Sequence, residues 1–243
     1  MGKILPGICL IMALALNSCG QQAGLQEDLA LKYLVQLPVE KSAHAPVIIL
    51  LHGYGSDERD LFELSAAFPK NYLVLSARAP YPLPTGGYEW YEITPVNGHH
   101  DGKKEHLENS RDLIEKFISQ ATAKYKADAK EAYLIGFSQG AIMCYQVGLT
   151  APGKVHGIGV LSGMIFPSLK PLVSNSAALK QLRIFISHGT ADNRIPFADG
   201  KAAYDYLESI GLKPEFHEYA GMGHAISNDV VKGLLQWLMI NGS

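Results

Sequence analysis

The chain is poor in cysteine, and two of its three cysteines, Cys9 and Cys19, fall within the first twenty residues. That leaves Cys144 alone in the body, where a single thiol cannot close an internal disulfide, so the fold must rest on its apolar core. Cys144 sits in an apolar run and reads as a buried helix residue. Neither charge is in excess: 21 Lys+Arg stand against 23 Asp+Glu, a formal net charge of −2. No basic stretch offers a nucleic-acid surface, and that partner class is excluded. The sequence also lacks internal repeats, low-complexity tracts and the G-x-x-x-x-G-K pattern that cradles phosphates. What remains is 243 residues with 47% hydrophobic content, enough for one good-sized core.

The front of the chain differs from the rest. Lys3 precedes an apolar stretch from Ile4 to Leu16, thirteen residues long. That is too short to span ~30 Å of hydrocarbon as a helix, but it suits a signal-peptide apolar region. The Met-Gly start is not a myristoylation signal, because Pro6 stands where Ser or Thr is required. The stretch ends in Leu16-Asn17-Ser18-Cys19, which resembles the lipobox of bacterial lipoproteins. The expected organisation is a signal peptide over 1–18, a linker over 19–28 beginning at a lipidated Cys19, and one folded domain over 29–243. The protein would then be exported and lipid-anchored to the cell envelope, with the membrane as a partner; the alternative is an ordinary secretory signal cleaved nearby.

In the body, short apolar runs alternate with amphipathic stretches. "LALKYLVQLP" alternates as a first strand, while "PVIILL" (Pro46 to Leu51) and "AYLIGF" (Ala132 to Phe137) read as fully buried strands. "YLVLSA", "VHGIGVLSG", "LRIFISHG" and "KPEFHEYA" are further strands. Helices are expected after Gly55, over "HLENSRDLIEKFISQATAKY", over "QGAIMCYQVGL", over "FADGKAAYDYLESIG" with Gly211 as its cap, and over "NDVVKGLLQWLMIN". From Ala79 to about Glu105 no regular element is expected, although the aromatics there argue for order. Strands alternating with helices predict an α/β protein with a mostly parallel sheet and helices on both faces. In such sheets the loops at the carboxyl ends of the strands carry the chemistry.

One of those loops holds Ser138, between Gly136 and Gly140 in "LIGFSQGAIMC". A chance G-x-S-x-G should occur roughly 0.08 times in a chain this long, so the pattern needs its context. The context is present, since a buried strand ends at Phe137 and a helix starts near Gln139, which lifts the Ser138 hydroxyl above the sheet on a sharp turn. A serine hydroxyl is a poor nucleophile without a base and an acid. Asp192 follows the strand "LRIFIS" and His224 sits in the glycine-flanked "GMGH" after the next strand. The order Ser138, Asp192, His224 is the one an α/β-hydrolase uses. Taken alone, an Asp in a turn is usually a cap and a loop His is usually bland. The backbone N–H groups of Tyr54, after "PVIILLHG", and of Gln139 are candidate oxyanion donors.

Together "LHGYGSDERDL", "GFSQGA", "HGTADNRIP" and "GMGH" resemble the phospholipase/carboxylesterase family of α/β-hydrolases, which includes acyl-protein thioesterases. The resemblance runs from about Ala45 to the C-terminus. It implies an α/β-hydrolase fold, a Ser138–Asp192–His224 triad, an oxyanion pair at Tyr54 and Gln139, and Trp90 of "GGYEWYEI" as a pocket wall. The lipoprotein-like front is not part of that family's usual pattern, and it bears on substrate rather than chemistry.

Other residues receive plainer readings. His99-His100-Asp101 lacks further ligands at metal-like spacing and is taken as a solvated loop, so no metal or cofactor is expected. Asp57, Glu58 and Asp60 are taken as charges in the first turn of a helix. His52 and His188 are taken as packing or supporting residues. The expected activity is that of a serine carboxylesterase on small esters, with no long insertion to form a lid. Covers are available only from the loop around Trp90 and from the segment Met164 to Ser176. A lysophospholipase or acyl thioesterase is the alternative enzyme, and a non-catalytic binding lipoprotein the alternative of another class; a dienelactone-hydrolase-like site is disfavoured by Ser138, where that class has Cys. Oligomeric state is left open.

Overall fold

The computed structural model describes residues 21–40, 44–96 and 99–240. The segment 1–18 and Cys19 lie outside the described residues. The first half of the chain comprises β1 (Gln21–Gln26), β2 (Tyr33–Gln36), β3 (Val47–Leu51), α1 (Glu58–Phe62), β4 (Leu73–Ala77), β5 (Tyr81–Pro82), β6 (Tyr88–Glu89), β7 (Ile93–Val96), β8 (His99–Gly102) and α2 (Lys104–Tyr125). The second half adds β9 (Ala132–Phe137), α3 (Gln139–Thr150), β10 (Gly157–Leu161), α4 (Ala177–Gln181), β11 (Arg183–Gly189), α5 (Phe197–Ser209), β12 (Glu215–Tyr219) and α6 (Asn228–Met239). Eight strands form one sheet in the order β1-β2-β4-β3-β9-β10-β11-β12. The pairings β1–β2 and β2–β4 are antiparallel, and the rest are parallel.

Burial along β3 explains the helices on both faces. Val47, Ile49 and Leu51 join one apolar cluster and Ile48 and Leu50 the other, as a period of two requires when a strand is covered on each side. The first cluster takes Ile114 and Phe117 of α2, Ala141 and Cys144 of α3, Leu179 of α4 and Leu207 of α5. The second takes Leu61 of α1 with Leu234 and Trp237 of α6. Burying each of the Leu, Ile and Phe side chains among them contributes about 1.5–3 kcal/mol, so the two faces hold the sheet without any disulfide. This is the α/β-hydrolase fold.

The structure departs from the sequence-based expectations in three places. The expected linker to residue 28 contains β1, paired antiparallel with β2, so much of it belongs to the sheet. The stretch from Ala79 to Glu105 is not without regular structure, because β5 pairs with β6 and β7 with β8 as two small hairpins. The helix after Gly55 is short: α1 has five residues and passes into a 3₁₀ turn over Glu63–Ala67.

Candidate active site

Ser138 stands between β9 and α3 with φ 54° and ψ −114°. A non-glycine residue with positive φ stores about 1–3 kcal/mol, held here because strand and helix fix both sides of the turn. The close approach also explains the glycines, since a Cβ at Gly136 would collide with Gly140 and a Cβ at Gly140 with the Leu51 carbonyl. Only glycine lets α3 pass this near the ends of β3 and β9.

The turn meets two loops at the same end of the sheet. His224 Nε2 lies 2.8 Å from Ser138 Oγ, and His224 Nδ1 lies 2.7 Å from Asp192 Oδ2. A carboxylate only accepts, so Nδ1–H donates to Asp192 and Nε2 is left to accept the Ser138 hydroxyl proton. The Phe137 ring supports the imidazole, with centroids 4.8 Å apart. Asp192 is buried, and its Oδ1 accepts from the amides of Arg194 and Ile195 at 2.9 and 3.0 Å. Burial pushes this carboxyl up, but the His224 hydrogen bond and the two amides outweigh it and leave it below its ordinary value. Sequence order thus placed three residues that the fold brings into one hydrogen-bonded chain.

Ser138 and Gln139 line a cavity of about 430 Å³ together with Tyr54, Tyr91, Ile93, Ile142, Met164, Phe166, Arg194, Ile195, Pro196 and Asp199. That volume lies toward the small end of ligand pockets. Tyr54 is exposed at its rim, and Gln139 is the first residue of α3, where an amide has no intrahelical acceptor. The loop carrying Tyr54 is held by hydrogen bonds between Gly55 N–H and Tyr88 O and between Tyr88 N–H and Ser56 O, each 2.9 Å.

Trp90 is not a wall of this cavity. It is fully buried behind the wall, where its indole N–H donates to the His52 carbonyl at 2.9 Å. An indole buried this deeply needs such an acceptor, and the His52 carbonyl sits inside the fold. Its neighbour Tyr91 lines the cavity instead, packed edge-on against Phe166 with centroids 5.5 Å apart. The Gln139 side chain, not singled out from sequence, joins the two: Oε1 accepts from Trp90 N–H at 2.7 Å and Nε2 donates to Tyr91 O at 2.6 Å.

Asp57 and Asp101 are placed differently from expectation. Glu58 and Asp60 fall in the first turn of α1 as expected, and Glu58 is also fully buried and pairs with Arg78 through two bonds of 2.6 and 2.8 Å. The N-cap of α1 is Asp57, which accepts from Arg59 N–H. Asp101 is buried rather than solvated and accepts from Ser168 Oγ at 2.8 Å, tying β8 to the segment after Ser162; the side chains of His99 and His100 lie outside the described residues. His52 and His188 are both buried, the first accepting from Ala79 N–H and the second donating from Nε2 to Ile195 O at 2.9 Å. His188 thereby braces the loop that carries Asp192. Among the described residues, no group of three or more His, Cys, Asp or Glu could hold a metal ion.

Comparison with known proteins gives this geometry a family. A phospholipase/carboxylesterase family model matches residues 35–241. The chain is 27% identical over 202 residues to acyl-protein thioesterase 1 homolog 1 of Dictyostelium discoideum, an alignment covering 79% of this chain and 88% of that protein. It is 26% identical to the solved structure of esterase PE8, with a TM-score of 0.71 over 86% of this chain and 97% of the other. A carboxylesterase from Mesorhizobium loti, 24% identical, shares the fold with a TM-score of 0.74 over 88% of this chain and 97% of that one. The chain belongs to the phospholipase/carboxylesterase family and is a hydrolase acting on ester bonds.

Proposed function

We propose that the protein is a serine carboxylesterase that cleaves small carboxylic esters through an acyl-enzyme. The observation that carries this reading is the chain of hydrogen bonds from Ser138 through His224 to Asp192, opening on the cavity. Ser138 Oγ attacks the ester carbonyl while its proton passes to His224 Nε2. The tetrahedral oxyanion is held by the amides of Tyr54 and Gln139, each such donor being worth about 10²–10³ in rate. The tetrahedral carbon then expels the alcohol, which takes the proton from His224. Water attacks the acyl-enzyme with His224 as base, and Ser138 is restored as the acid departs. Asp192 fixes the imidazole tautomer and stabilises its charged form.

An acyl thioester passes through the same steps, and the thioesterase name of the Dictyostelium relative supports that second reading. Rates on matched ester and thioester pairs separate the two. Chain length separates a small-ester enzyme from a lysophospholipase: each buried CH₂ is worth ~0.8 kcal/mol, so kcat/KM climbs only while the cavity has room. With about 430 Å³ and only short covering loops, the rate should level off among short acyl groups. A steady climb from acetyl to dodecanoyl esters would instead support the lysophospholipase.

We also propose export and lipid anchoring through Cys19, on the strength of the apolar Ile4–Leu16 stretch and the Leu16-Asn17-Ser18-Cys19 sequence. Gly20 after the cysteine suits outer-membrane sorting. More than one acyl chain makes such an anchor stable. Mass spectrometry of the mature N-terminus should show a diacylglyceryl-modified Cys19, and an unmodified terminus at another residue overturns this.

A further inference from the structure

Arg194 differs from the other four arginines of the chain. Arg59 pairs with Asp57, Arg78 with Glu58, and Arg111 with Asp112, while Arg183 donates to the Trp237 carbonyl. The guanidinium of Arg194 enters no ion pair among the described residues, and its side chain is exposed. Yet its backbone is fixed, because its amide donates to Asp192 Oδ1 at 2.9 Å. From that anchor, two residues past the carboxylate that holds His224, it lines the same cavity as Ser138. The surroundings are largely aromatic and aliphatic, with Tyr91, Ile93, Ile142, Met164 and Phe166 among them. Walls of low polarisability strengthen the field of a charge at their rim. A guanidinium fork also matches a carboxylate in shape and charge.

We propose that Arg194 selects esters bearing a carboxylate a few bonds from the scissile carbonyl. This rests on the hydrolase site centred on Ser138. Asp192 does not compete for the guanidinium, since its oxygens are taken by His224 and two amides. Asp199, the one acidic residue among those lining the cavity, acts in the opposite sense and repels an anionic substrate. The two positions therefore give variants of opposite sign.

The test compares kcat/KM of the purified full chain on mono-p-nitrophenyl adipate and on p-nitrophenyl hexanoate, which match in acyl length and differ in one carboxylate. A second pair, 4-acetoxybenzoate and its methyl ester, places the carboxylate on the alcohol side. In at least one pair, Arg194→Met should lower the anionic-to-neutral ratio roughly tenfold, the worth of a charge-assisted hydrogen bond. Arg194→Lys should restore part of it, and Asp199→Asn should raise the ratio. Added salt should lower the wild-type ratio more than that of Arg194→Met. Equal ratios in wild type and Arg194→Met for both pairs would overturn the proposal. Hexanoate turnover in wild type and Ser138→Ala judges the hydrolase reading separately. Calorimetric binding of adipate monoester to Ser138→Ala, with and without Arg194→Met, reads the same contrast without turnover, and equal affinities there overturn the proposal as well.

Discussion

Replacing Gln139 with leucine keeps the backbone amide proposed for the oxyanion and removes the side chain that joins Trp90 to Tyr91. Two bonds are lost, the one accepted from Trp90 N–H at 2.7 Å and the one donated to Tyr91 O at 2.6 Å. Both partners belong to residues with 0 and 1% exposure, so water does not replace them. Each buried group left unpaired costs about 1–3 kcal/mol, and leucine recovers part of the sum through apolar burial. A net loss of about 3 kcal/mol should lower Tm by roughly 6–12 °C in a domain of this size. Because Tyr91 lines the cavity, KM should rise more than kcat falls. Gln139→Glu sharpens the test. One carboxylate oxygen still accepts from Trp90, but the other faces the Tyr91 carbonyl unless it is protonated. Its folded pKa is therefore raised above the unfolded value of about 4.3. The deficit should be small below that value and grow as pH rises through the folded pKa. Calorimetry from pH 4 to 8, with steady-state kinetics on a butyrate ester, reads both effects. A Gln139→Leu protein melting within about 2 °C of wild type, and a Gln139→Glu protein with no added pH dependence, would refute the reasoning.

Asp192→Asn keeps an oxygen for the Arg194 and Ile195 amides but turns an NH₂ toward His224, so Nδ1 becomes the acceptor and Nε2 carries the proton; kcat should fall about 10⁴-fold with little change in Tm, and a loss under tenfold contradicts this. Glu58→Gln leaves Arg78 without its buried partner and should cost about 3 kcal/mol at pH 7. Burial raises the Glu58 carboxyl but the Arg78 bonds lower it more, to below its ordinary 4.5. Its contribution is thus full above that value and lost as pH falls through the lower folded one, so urea-derived stabilities of wild type and variant should converge in acid; an equal gap at pH 3.5 and 7 contradicts the assignment.

The residues that announced themselves in the sequence are those under strict local constraint. β3 and β9 were legible because a parallel strand covered on both faces must be apolar throughout. Ser138 was legible because the turn admits only glycine at 136 and 140. What stayed hidden depends on partners distant in sequence. β1 is glutamine-rich and exists through its pairing with β2, and β5 and β6 have two residues each. The burial of Glu58 is decided by Arg78, twenty residues on, and no helical period marks it. A wall at Trp90 was implied by the family resemblance of "GGYEWYEI" alone. Its indole N–H needed an acceptor, and the His52 carbonyl drew it inward. Arg194 carried a signal that went unused, a charged side chain two residues past Asp192.

The central claim is that Ser138 is the nucleophile, and a fluorophosphonate probe tests it most directly. Intact-mass and peptide mass spectrometry should find one adduct per chain, on the peptide containing Ser138, with esterase activity lost in proportion to labelling. Ser138→Ala should neither label nor retain more than about 10⁻⁶ of wild-type kcat. An adduct on another residue, or an unlabelled wild-type protein that still turns over esters, would contradict the account.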